Sequence, residues 1–296
     1  MVSQDRQHSG HDCLSTQSLW INDLALIGVF DSGVGGLSIL DEALHQLPEH
    51  DYIYLADSAN APYGEKSSEW ISARSLTLCR HLVREGCDAI VVACNTATAE
   101  AIAQIRAELH EIPIIGVEPG IKPAAMQTQN GVVGVLATEA TLNSDKFNAL
   151  LATLPAHCQI IKQAGAGLVP LIEAGSADDS ETLELLATHL LPIQEAGADT
   201  LVLGCTHYPF LRQSIRMLLG DSITLIDTSE AVVRQLKRQL EAKYPQKQDC
   251  ANTDAGSVCF ISSKDETKLL KMAKELMSTD LQAHRLSATF LSDLRS

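Results

Sequence analysis

The chain has 296 residues, room for one large or two ordinary domains, and with 45% hydrophobic but only 4% aromatic residues its cores are expected to be Val, Ile, Leu and Ala. A net charge of −15 with no basic stripe argues against nucleic-acid binding, which needs clustered Lys and Arg. The first twenty residues are polar, which argues against a signal peptide or membrane span and leaves the cytoplasm as the expected location; eight cysteines without a C-x-x-C pair argue against a disulfide scaffold or a structural zinc.

Residues 1–23 read as an N-terminal extension, and the apolar run at 24–30 reads as a first, buried parallel strand. That run feeds Asp31-Ser32-Gly33-Val34-Gly35-Gly36 and then a helical pattern from Leu37 to about Leu47. A glycine-rich strand-to-helix turn offers main-chain N–H groups to an anion. Three uses compete: a dinucleotide fingerprint with Asp57 on the ribose, a structural tight turn, or a small carboxylate site. The third glycine of a fingerprint would fall at Ser38, so the spacing is poor for a dinucleotide, and of the remaining two uses the carboxylate site is the expected one. After a strand at 52–56, residues 57–64 form a loop in which Pro62-Tyr63-Gly64 sets an aromatic hydroxyl on a bend. Ser67 or Ser68 caps a helix to about Arg84, followed by a strand ending at Cys94, a helix at 96–109 and a strand at 112–117.

The second half opens on a strand at 131–138, where Thr138 echoes Ser32. A helix from Ala140, a strand near 159–162, helices at 169–174 and 181–196 and a strand ending at Cys205 follow. Beyond a strand near Ile226 come a helix at 230–243, a polar loop at 245–256, a strand at 258–261 and a helix at 266–277, the last pair returning to the first domain. Alternating strands and helices give parallel sheets. The expected fold class is α/β: two similar parallel-sheet domains related by pseudo-twofold duplication, with the active site at their interface. Residues 24–119 and 229–296 form the first domain and 120–228 the second.

The duplication is written most clearly around two cysteines. Gly86, Asp88 and Cys94 recur 111 residues later as Gly197, Asp199 and Cys205, and each apolar run ends in a thiol with polar flanks, Asn95-Thr96 in one copy and Thr206-His207 in the other. Both cysteines precede helical patterns, and a helix N-terminus favours thiolate. Cys79, Cys87, Cys158 and Cys259 read instead as small core residues. The paired thiols admit redox pairing, metal binding together with His207, or a single nucleophile, Cys205 with His207, that leaves Cys94 idle. A two-base reaction uses both: one thiolate removes a proton from one face of a tetrahedral carbon while a thiol returns one to the other face. Because enantiomers have equal free energy, such a site is near-symmetric, as a duplicated fold provides.

The stretches Phe30-Asp31-Ser32-Gly33-Val34-Gly35-Gly36-Leu37, Pro62-Tyr63-Gly64-Glu65, Ala93-Cys94-Asn95-Thr96-Ala97 and Gly204-Cys205-Thr206-His207-Tyr208-Pro209 closely resemble those of the aspartate/glutamate racemase family, bacterial glutamate racemases in particular, over about residues 25–280. The resemblance implies cofactor-independent interconversion of L- and D-glutamate, supplying D-glutamate for peptidoglycan. It implies that Cys94 takes the α-proton of D-glutamate and Cys205 that of L-glutamate, with Asp31, His207 and Glu173 assisting. It also implies substrate binding by Asp31, Ser32, Tyr63, Gly64, Asn95, Thr96, Thr206 and His207, and no metal. Ala137-Thr138 departs from the Gly-Thr of many members. Some Gram-negative members with such an extension are activated by a nucleotide-sugar peptidoglycan precursor, UDP-N-acetylmuramoyl-L-alanine; here the segment 116–123, with Lys122, joins the halves. The sequence is compatible with a homo-oligomer.

Overall fold

The computed structural model describes residues 24–245 and 255–291; the extension at 1–23 and most of the polar loop at 245–256 lie outside them. The first half runs β1 (Leu26–Asp31), α1 (Leu37–Gln46), β2 (Asp51–Ala56), α2 (Ser68–Arg84), β3 (Ala89–Val92), α3 (Asn95–Glu108) and β4 (Ile114–Gly116). After α4 (Ile121–Gln127), the second half runs β5 (Val132–Ala137), α5 (Glu139–Asn143), α6 (Asp145–Leu151), β6 (Gln159–Ala164), α7 (Leu168–Ala174), α8 (Ser180–Glu195), β7 (Thr200–Gly204), α9 (Arg212–Leu219) and β8 (Thr224–Ile226). The chain closes with α10 (Ser229–Lys243), β9 (Ser257–Ser262), α11 (Glu266–Leu276) and β10 (Arg285–Phe290).

Two parallel sheets result, one ordered β10-β9-β2-β1-β3-β4 and the other β6-β5-β7-β8. The order β2-β1-β3-β4 recurs as β6-β5-β7-β8, and so does the register. Ile27 pairs Ala89 as Val133 pairs Thr200, and Ile90 pairs Ile114 as Leu201 pairs Leu225. The fold class is thus two similar parallel-sheet α/β domains. β9 and β10 extend only the first sheet, β9 pairing with β2.

The repeated Gly-x-Asp is structural. Gly86 and Gly197 hold φ of +92° and +70°, and Cys87 and Ala198 donate back to the Leu82 and Ile193 carbonyls, stopping α2 and α8 alike. Asp88 then accepts the Leu26 N–H and Asp199 those of Gln129 and Asn130, fixing each thiol strand to its neighbour's entrance. All six residues of β1 are buried, as a central parallel strand requires. One apolar cluster runs from Val34 and Leu37 in the first half to Leu168, Ile172 and Tyr208 in the second, so the halves share a core.

Three expectations change. The helix from Ala140 is two short helices, because Ser144 is extended and caps α6 through the Phe147 N–H. β10 had no counterpart in the sequence reading; it is an edge strand in which Arg285, Ser287 and Ala288 are exposed and Leu286, Thr289 and Phe290 only partly buried. Cys158 is only half-buried, whereas Cys79, Cys87 and Cys259 are core residues.

Candidate active site

β1 and β3 end side by side, as do β5 and β7, and the residues just past these ends meet across the two halves. Asp31, fully buried, accepts the Gly33 N–H at 2.8 Å through one oxygen and the Thr206 hydroxyl at 3.1 Å through the other. Burial raises its carboxyl above the ordinary range, against the opposing charge of His207 and the Gly33 N–H.

Cys94 is the N-cap of α3: the Ala97 N–H donates to its sulfur at 3.4 Å, and the thiol donates to Ser32 Oγ at 3.6 Å. Burial first, and then the nearby Asp31 carboxylate, push the thiol up to about 12, while the Ala97 N–H and the Ser32 hydroxyl pull the other way. The Cys205 environment differs. The chain beyond it makes i to i+3 bonds from Tyr208 and Phe210 before α9 begins at Arg212, so Cys205 does not cap an α-helix. Its partner is His207, whose Nδ1 lies 3.6 Å from Sγ and whose Nε2 lies 2.6 Å from Glu173 Oε1. Burial works against the imidazolium, yet the hydrogen bonds to Cys205 and Glu173 hold His207 well above its ordinary value.

The same Glu173 oxygen accepts the Val34 N–H at 2.7 Å, so this donor of the glycine-rich turn is taken by one of the protein's own carboxylates. A Cβ on Gly33 would lie 1.8 Å from Glu173 Oε1, and one on Gly35 2.4 Å from His207 Nδ1; only glycine lets the turn come this close. Ser38 donates to the Thr206 carbonyl at 3.1 Å, tying α1 to the second thiol loop.

Asn95 and Thr96 open α3 and are buried; Asn95 Nδ2 finds no partner among the described residues. Thr96 and Thr138 hydroxyls lie 3.1 Å apart, and Gly64 faces Thr138. Thr138 stands one residue past β5, as Ser32 stands one past β1; the echo between them was the signal for its place, although it was not among the candidates. Tyr63 is buried and its hydroxyl donates to Asp57 at 2.7 Å, so what this bend can offer a ligand is main chain. Asp57 cannot hold a ribose: it is fully buried, with its oxygens taken by Arg74 at 2.7 and 2.9 Å and by Asn60 and Tyr63. A cavity of about 290 Å³ adjoins the site, lined by Val34, Pro62, Val169, Glu173 and Lys268 among others. Among the described residues, no helix is long and apolar enough to cross a membrane, and no three His, Cys, Asp or Glu side chains are grouped to hold a metal ion.

The family model for Asp/Glu/hydantoin racemases matches residues 27–236. A glutamate racemase of Ralstonia nicotianae is 52% identical over 262 residues, 88% of this chain and 93% of that protein. Among solved structures, that of Escherichia coli glutamate racemase in complex with L-glutamate and the activator UDP-MurNAc-Ala is similar with a TM-score of 0.78 at 33% identity, covering 90% of this chain and 98% of that one. A Bacillus anthracis glutamate racemase isoform gives a TM-score of 0.78 at 29% identity, with coverage of 91% and 98%. The family model and the relatives agree with the fold, and the chain belongs to the aspartate/glutamate racemase family, in its bacterial glutamate racemase branch. It is an amino-acid racemase, an isomerase.

Proposed function

We propose that this chain interconverts L- and D-glutamate by a two-thiol mechanism, with 24–119 and 229–296 as one domain, 120–228 as the other and the substrate between them. The observation that carries the reading is the matched placement of Cys94 and Cys205 just past β3 and β7, strands of equivalent register in the two sheets. From L-glutamate, a Cys205 thiolate takes the Cα proton and becomes a thiol, while the Cys94 thiol protonates the opposite face and becomes a thiolate. The reverse reaction exchanges the roles. The Ala97 N–H and the α3 N-terminus favour the thiolate form of Cys94, and the His207 cation, held by Glu173, faces a thiolate at Cys205.

The α-proton of an amino acid is far less acidic than a thiol, so fixed donors must stabilise carbanionic charge as it develops. Asn95 Nδ2, the Ser32 and Thr96 hydroxyls and the main chain at Tyr63-Gly64 are the groups assigned to the substrate's polar ends; no cofactor is invoked. Glutamate rather than aspartate is favoured by the relatives' activity. The product would serve peptidoglycan synthesis in the cytoplasm.

The test is L-glutamate in heavy water without added cofactor. Two bases place deuterium in newly formed D-glutamate before it appears in residual L-glutamate; a single base labels both pools together. The Escherichia coli relative carries its activator, and we extend that reading to a nucleotide-sugar precursor here, bound near the segment 116–123 with Lys122 and biasing domain closure. Glu118 in this segment pairs with Lys146 of α6 at 2.8 Å, so the segment already joins the halves. Turnover with and without the precursor, in the full chain and in one beginning near Asp23, tests this; no response in either removes the regulatory reading.

A further inference from the structure

Besides its contact with His207, Glu173 is held at two further points, both from the half that carries the six-stranded sheet. Its carboxylate accepts the Val34 N–H, and its main-chain carbonyl accepts the Lys268 ammonium at 3.0 Å. That carbonyl lies in the last turn of α7, where carbonyls lack helical partners. Gly175 and Ser176 N–H groups serve the carbonyls of Ile172 and Leu171, leaving that of Glu173 to Lys268.

The position of the lysine is itself informative. Lys268 lies in the first turn of α11, its N–H capped by Asp265, where the helix dipole disfavours a cation. Its side chain instead crosses to the C-terminal end of α7, where the dipole favours one. Lys268 is exposed along the cavity beside Glu173, so its removal opens no core.

We propose that Lys268 is a positioning residue for the racemisation, fixing α7 so that Glu173 holds His207 toward Cys205. The inference rests on the two-thiol reading above. It is tested with Lys268→Met and Lys268→Arg, by kcat and KM in both directions, the pH profile of kcat/KM, and the thermal midpoint. Lys268→Met is expected to lower kcat/KM about 5- to 10-fold, the scale of one ordinary hydrogen bond lost at a solvent-exposed position. The loss must be equal in both directions because the enantiomers have equal free energy. The alkaline limb of the profile shifts to lower pH as His207 loses its firm partner, the midpoint stays within ~2 °C of the parent, and Lys268→Arg restores most of the activity. Parent-like kcat/KM and profile in Lys268→Met overturn the proposal. So does a lowered midpoint with equal loss in both variants, which marks a purely structural contact. A parent chain unable to racemise glutamate overturns the proposed function itself, and with it this inference.

Discussion

Thr206, just past one thiol strand, donates its hydroxyl to the Asp31 carboxylate, at the end of β1 beside the other thiol strand, across 3.1 Å. This bond joins residues 175 apart in sequence and ties the Cys205 loop to a buried acid at the end of the strand that pairs with the Cys94 strand. Replacing Asp31 by Asn keeps the shape but removes the charge that faces His207. We expect a loss of about 10²-fold in kcat/KM, the scale of a misplaced assisting group, with the fold retained. Steady-state kinetics beside circular dichroism checks it, and parent-like turnover would count against any role for Asp31.

Glu173→Gln keeps a hydrogen-bond acceptor for Val34 but withdraws the carboxylate that helps keep His207 protonated. His207 then titrates at lower pH, and the alkaline limb of kcat/KM should move down with it. A profile unchanged by the substitution would show that His207 is charged without Glu173.

Gly33→Ala puts a methyl where Glu173 Oε1 lies, 1.8 Å away. Displacing that carboxylate by about an ångström is expected to cost roughly 10²-fold in rate. The backbone of Gly33 is not left-handed, so alanine is tolerated locally and the thermal midpoint should fall only modestly. Full activity in this variant would contradict the observed close approach.

The buried Asp57–Arg74 pair predicts a stability effect. Arg74→Met leaves the Asp57 carboxylate buried beside Tyr63 and Asn60 without its cation. The expected loss is about 3–5 kcal/mol in urea unfolding, because an uncompensated buried charge remains. A loss below ~1 kcal/mol would mean that water reaches Asp57.

Stability should also depend on pH in a defined direction. The folded state holds the His207 proton more tightly than the unfolded chain. Its contribution is therefore complete below the unfolded value of about 6.5 and is lost as pH rises through the higher folded value. Cys94 moves from its ordinary 9.0 to about 12, so between those limits the unfolded chain releases a proton that the folded one keeps, and stability falls further. Cys94→Ser should flatten the decline across that window relative to the parent; an identical slope would argue against the raised thiol.

The strands, the Ser67 cap and the paired cysteines were legible because each has a local signature: apolar runs, a hydroxyl before a helix, and a repeat whose offset the register preserves. β10 was not, since an edge strand with no fully buried residue needs no apolar alternation. The Val34–Glu173 contact was illegible for another reason: its donor is a main-chain N–H, common to nearly every residue, and its partner lies 139 positions away. The spacing already weighed against a ribose-binding Asp57, but its real role, buried and bonded to Arg74, Asn60 and Tyr63, needed the folded chain. Assisting roles for His207 and Glu173 were implied by resemblance, whereas their 2.6 Å contact with each other needed the folded halves in place.

The central claim is that Cys94 and Cys205 act on opposite faces of one carbon. Its most direct measurement is net racemisation of each glutamate enantiomer, in heavy water, by Cys94→Ser and Cys205→Ser. The account predicts that neither variant racemises at a measurable rate, that both remain folded, and that each still exchanges the Cα proton, or eliminates from a suitable analogue, with one enantiomer only, opposite for the two variants. Full racemisation by either single variant would contradict it.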